Sequence, residues 1–191
     1  MRLRGRSITG SASFWGGTVQ DLLADLVYEF RRYKDLADRA IVHLGDQDFF
    51  RRPADHVNPV AVMVKHLAGN LVSRWTDFLT SDGEKASRDR DGEFLLTEED
   101  TRASLLADWE RGWKALFDTL EGLGEADLEK SVTIRGEYHR VPQALLRGLS
   151  HTAYHVGQIL YLVRLWRPES PWLTVPPGQS GKVRGGYFPS R

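Results

Sequence analysis

Cysteine is absent from this 191-residue chain. Disulfides, thiolate metal sites and a cysteine nucleophile are excluded with it. An excess of either charge is missing too: 26 Lys plus Arg stand against 26 Asp plus Glu, a formal net charge of zero. Nucleic acids and anionic membrane surfaces select for a basic excess, so neither is expected as a partner. Long hydrophobic runs are also lacking; no stretch approaches the roughly eighteen apolar residues of a membrane span. Residues 1–17, MRLRGRSITGSASFWGG, begin basic but have no apolar run of signal-peptide length. Their Gly and Ser content predicts a mobile arm, and the expectation is a soluble, cytoplasmic protein.

Helical periodicity is present in four segments. Thr18 and Asp21 have capping spacing, and Leu22, Leu26, Phe30, Tyr33, Ala37, Ile41 and Leu44 follow at i+3/i+4 steps until Gly45. Asn58-Pro59 reads as an N-cap followed by Pro at the first helical position, opening a second helix through VAVMVKHLAGNLVSRWTDFLT. The charged stretch SDGEKASRDRDGEF reads as a long surface loop. Thr97 and Asp100 repeat the capping spacing before a third stripe, Leu105, Leu106, Trp109, Trp113, Leu116, Phe117 and Leu120. SVTIRGEYHRV alternates across Gly136 and predicts a short hairpin. Pro142 then opens the fourth helix and Pro168 closes it, and the segment from Pro168 onward holds five of the eight prolines. The prediction is an all-α four-helix bundle over residues 18–180, with an arm at 1–17, a tail at 181–191 and one small hairpin before the last helix. Trp75, Trp109, Trp113 and Trp166 fall at core positions.

The chemistry-bearing residues are histidines. His151 and His155 lie four apart in LSHTAYHVGQILYLVRL, an otherwise apolar helix. Residues so spaced share a face with Cβ atoms about 5–6 Å apart. That suits one ion at N–metal distances of about 2.0–2.1 Å. His66, flanked by Val62, Met63 and Leu67 inside the second helix, is the best candidate third ligand. The plain alternative is three satisfied core histidines; the three together, without thiolates, favour a site. Three imidazoles without a fourth protein ligand are the open, catalytic pattern. HTAYH is not the zincin motif, because Thr152 stands where that motif has its glutamate base. Asn70, Arg74, Arg147 and Gln158 share these helix faces as candidate substrate contacts, and a guanidinium there suits a carboxylate. His43 at a helix end, and His56 and His139 in loops, are expected at the surface. GQSGKV lacks phosphate-loop spacing.

A histidine in helix two with an HxxxH clip in helix four resembles the DinB-like (YfiT-like) metal-binding superfamily. VKHLAGNLVSRWTDFLTSDGEK and TIRGEYHRVPQALLRGLSHTAYHVGQI are especially similar to one branch of small bacterial proteins. The resemblance implies an up-up-down-down bundle, a divalent ion on His66, His151 and His155, and pairing into homodimers. It further implies relatives that are thiol-dependent S-transferases and isomerases, or hydrolases. The leading expectation is a Zn- or Ni-dependent enzyme that activates a low-molecular-weight thiol towards a small-molecule electrophile. One alternative is a hydrolase in which the same ion activates water, with Asp25 or Glu29 as base. The other is a non-enzymatic metal-binding or dimerisation protein, distinguished by a triad sealed in the core.

Overall fold

The computed structural model describes residues 19–182; the expected arm, the Thr18 cap and positions 183–191 lie outside the described residues. Four long helices form the bundle: α1 (Val19–Ile41), α3 (Val60–Trp75), α4 (Arg102–Gly122) and α5 (Val141–Trp166). A short helix, α2 (Asp46–Phe50), interrupts the first connection, and strands β1 (Ser131–Ile134) and β2 (Glu137–Arg140) precede α5. The expected hairpin is therefore present. Arg135 and Gly136 both take positive φ, 57° and 75°, which a two-residue hairpin turn requires. Asp82 holds this turn, accepting from the Arg135 and Gly136 N–H groups at 2.8 Å each. The long connection 76–101 is thus tied to the strands.

Side-chain register fixes the helix directions. Trp109 donates to Asp38 at 2.8 Å and Arg31 lies over Phe117, so α1 and α4 run antiparallel. Thr119 donates to the Trp75 carbonyl, and Gly112 lies against Ala68, so α3 and α4 run parallel. Gly148 meets Trp75 while His151 meets His66, so α5 opposes α3. The order is up, down, down, up, a cyclic shift of the arrangement the resemblance implies. The crossover 76–101 that joins two parallel helices spans the bundle, which gives that connection its length.

The core centres on Trp75, Trp109, Trp113 and Phe30, all at most 1% exposed; Trp166 packs at its edge. Several helix ends differ from expectation. Helix α1 stops at Ile41, and Gly45 instead precedes α2 as its N-cap. Pro59 rather than Asn58 caps α3, which ends at Trp75 instead of continuing to Thr80. Thr101 caps α4 with Ser104 in a reciprocal capping box. The Thr97–Asp100 pair does form, at 2.7 Å, but it closes the preceding turn, where Asp100 also takes Lys65 from α3.

Close approach of α3 and α4 depends on Gly112. A Cβ there would lie 2.9 Å from the Ala68 carbonyl oxygen and 3.1 Å from the Ala68 Cα, both backbone atoms. Gly112→Ala should therefore destabilise the fold by about 1–3 kcal/mol, an overpacking cost. Urea denaturation checks it, and unchanged stability would contradict the stated helix contact.

Candidate metal centre

His66 is buried on α3, and its ring lies 4.5 Å from that of Phe94, centroid to centroid. One turn of α5 carries His151 and His155, whose ring centroids are 4.7 Å apart and 5.3 and 4.9 Å from that of His66. One potential ligand atom from each of the three lies within 4.8 Å of the others. His66 Nε2 and His151 Nε2 stand 3.3 Å apart, close to the ~3.3 Å between two tetrahedral ligands at usual Zn–N lengths.

The outer atoms set the tautomers. His66 Nδ1–H donates to Glu93 Oε2 at 2.8 Å, since an ionised carboxylate only accepts. His155 Nδ1–H donates to Gln158 Oε1 at 2.9 Å. Each bond leaves the Nε2 lone pair of its ring bare, and His155 Nε2 is buried without a partner. His151 Nδ1 is likewise buried and unpaired. Burial, reinforced by the neighbouring histidines, pushes His151 down to about 3 and His155 down to about 4. His151 and His155 are thereby held neutral, the form a metal requires, and His66 turns its Nε2 towards them, so the three residues can hold a metal ion.

Glu93 comes from a 3₁₀ turn, Gly92–Phe94, in the 76–101 connection. Burial alone would raise its pKa; hydrogen bonds from His66 and Arg88 outweigh that and hold the carboxyl below its ordinary range. Arg88 grips it through Nε and Nη2, each at 2.7 Å, a bidentate, charge-assisted contact. Gly69, three residues after His66, makes room: a Cβ there would collide with the Glu93 carboxylate. The reading of this connection as a mere surface loop is thereby corrected.

The triad is not sealed. A cleft of about 770 Å³ borders it, with Met63, Val57, Leu162, Leu165 and Tyr161 on its walls. A second cleft of about 260 Å³ lies on another side, walled largely by arginines. His66, His155, Phe94 and Tyr154 line both.

A family model described as a protein of unknown function (DUF1572) matches residues 18–179. The chain belongs to the DUF1572 family. No curated protein matches it. In this DUF1572 chain, Asn70, Arg74 and Arg147 border the smaller cleft, whereas Gln158 borders the larger and orients His155. Asp25 and Glu29 are not at the site. Asp25 is exposed, and Glu29 pairs with Arg32 at 2.8 Å. The inward stripe of α1 is Leu23, Leu26 and Phe30, which turns both carboxylates away from the clefts. Thr152 is buried.

The remaining histidines differ. His56 is exposed as expected, though on the rim of the larger cleft, while His43 is half-buried. His139 is 8% exposed rather than a surface residue. It sits on β2, donates from Nδ1–H to the Glu137 carbonyl at 3.0 Å and accepts from Arg147 at 2.9 Å. Glu93, Arg88 and Phe94 had no periodic signal to mark them; a Gly one turn after His66 was the only hint of a close neighbour.

Proposed function

We propose that His66, His151 and His155 hold a divalent cation, Zn or Ni, in a thiol-dependent S-transferase, and that the DUF1572 family falls within the DinB-like superfamily. The observation that carries this is the convergence of three imidazoles beside open clefts, with no fourth protein ligand among the described residues. Glu93 is bound to the far side of His66 and held by Arg88, so it orients a ligand. A bound cation would supply Lewis acidity, lowering the pKa of a coordinated thiol.

The chain's own residues do the rest. Glu93 and Gln158 fix the ring planes and tautomers of His66 and His155, as outer partners of metal-bound histidines do. The larger, mostly apolar cleft accepts the electrophile and excludes water from it. Hydrolysis is the weaker reading because neither Asp25 nor Glu29 reaches the site and Glu93 is already engaged. The exposed apolar residues Leu146, Tyr154, Tyr161 and Leu165 of α5 support pairing into a homodimer. No helix among the described residues is long and apolar enough to cross a membrane, and dependence on a reduced thiol would favour the cytoplasm as the site of activity.

Incubation of metal-loaded protein with thiol–electrophile pairs, beside ester and amide substrates, tests the proposal. Product should form only when thiol is present and fall to background after chelation. Ester or amide turnover that needs no thiol would overturn it.

A further inference from the structure

The smaller cleft carries more positive charge than the ion pairs among the described residues neutralise. Five arginines line it: Arg74, Arg88, Arg90, Arg135 and Arg147. Three of them have carboxylates. Arg88 pairs with Glu93 and Glu84, Arg135 reaches the same Glu84 at 3.4 Å, and Arg90 meets exposed Asp91 at 3.7 Å. Arg74 and Arg147 make no ion pair among the described residues.

Arg74 is the more telling of the two. It is only 7% exposed, makes no hydrogen bond among the described residues, and its Nε is fully buried. Its stem is seated against Gly83, where a Cβ would come within 2.9 Å of Arg74 Cδ. Burial, and then Arg147, Arg88 and Arg135, outweigh the attraction of Glu84 and bring it down to about 10, still a cation at neutral pH. A buried charge without a partner is costly. Arg147 is held in place by His139, an imidazole acceptor whose other nitrogen is committed to the Glu137 carbonyl. His139 therefore aims the guanidinium without compensating its charge.

We propose that this cleft binds the oxyanion end, carboxylate or phosphate, of a ligand whose other end reaches the histidines, with Arg74 and Arg147 as its charge partners. Guanidinium groups are suited to both oxyanions. The inference rests on the preceding reading only for what happens at the reactive end. Because His66, His155, Phe94 and Tyr154 line both clefts, an anionic co-substrate enters on one side and the apolar electrophile on the other.

The test is titration of the full chain with malonate and with inorganic phosphate at constant ionic strength, followed by isothermal calorimetry. Each is measured with the protein chelated and with it zinc-loaded. Saturable 1:1 binding is expected in both states, weakened at least about ten-fold in Arg147→Gln, which loses a charge-assisted contact, and unchanged in Arg39→Gln on the outer face of α1. Arg74→Met should behave as Arg147→Gln does, and Arg147 near the cleft rim provides the answer if the buried substitution does not fold. Preference for malonate identifies a carboxylate ligand, and preference for phosphate a phosphate ester. Binding that fails to saturate, or is equal in Arg147→Gln and wild type, overturns the inference. So does binding seen only with zinc and insensitive to Arg147, which would leave the metal reading intact. Arginine-dependent anion binding in a protein that takes up no metal would leave the anion site standing and remove the thiol-transfer reading.

Discussion

His151→Ala should lower the divalent metal in protein purified without a histidine tag from about one ion per chain to under about a tenth, because an open site has only three protein ligands to lose. Elemental analysis measures it directly; unchanged content, or a bare trace in wild type, removes the metal centre. Zinc in hundred-fold excess over its Kd should stabilise wild type by about 2.7 kcal/mol. That corresponds to a melting shift on the order of 5–10 °C for a domain of this size, absent in His151→Ala. The pH dependence has a definite sign. With His151 near 3 and His155 near 4 in the fold, protons do not compete with the cation at either of these two rings between pH 5 and 7. In the unfolded chain both rings titrate near 6.5. Between those values the unfolded state binds more protons, so stability rises with pH. Metal-free protein should accordingly lose stability as pH falls from about 6.5 towards 4. A metal-free melting temperature that stays flat from pH 7 to 5 would show that these rings are not held neutral.

The parts legible in the sequence are those a single helix encodes. His151 and His155 are neighbours because four residues make about one turn, and any helix of that sequence places them so. His66 stood out because Val62, Met63 and Leu67 surround it on a core helix, where an imidazole needs a reason. Pro142 marked the start of α5, and the alternation across Gly136 marked the hairpin. The outer support was hidden for a physical reason. Glu93 lies in a stretch where most charged residues face water, and what buries it is a bidentate grip from Arg88, five residues away, and a gap at Gly69 on another element. Charge composition describes the average of that stretch, not its one exception. His139 was equally opaque, because its burial follows from the hairpin folding onto α5. The capping spacing recurs at Thr97 and at Thr101: Asp100 answers Thr97 and Lys65 together and closes the turn before α4, while Ser104 answers Thr101 and caps the helix itself.

Glu93 gives the second large effect, and it separates folding from metal binding. Its carboxylate stands between two demands, the His66 Nδ1–H and the Arg88 guanidinium, with both it and Arg88 under 10% exposed. Glu93→Gln keeps an acceptor for His66 but removes the charge opposite Arg88. Breaking such a buried pair costs about 3–5 kcal/mol, and the remaining Arg88–Glu84 contact at 3.1 Å should keep the loss near the lower end. Gly69→Ala reaches the same carboxylate from behind. Its new Cβ would lie 2.8 Å from Glu93 Cδ, and the carboxylate cannot swing aside without giving up Arg88. A stability loss of about 1–3 kcal/mol is expected, with metal affinity about 10–100-fold weaker as His66 loses its orienting partner. The double variant Arg88→Met/Glu93→Leu distinguishes the roles. Replacing both partners by apolar groups can restore stability, but it leaves His66 Nδ1 with no acceptor, so metal affinity should stay low while the melting temperature recovers. Full zinc affinity in that double variant would show that Glu93 serves the fold alone and that His66 needs no help to face its two partners on α5.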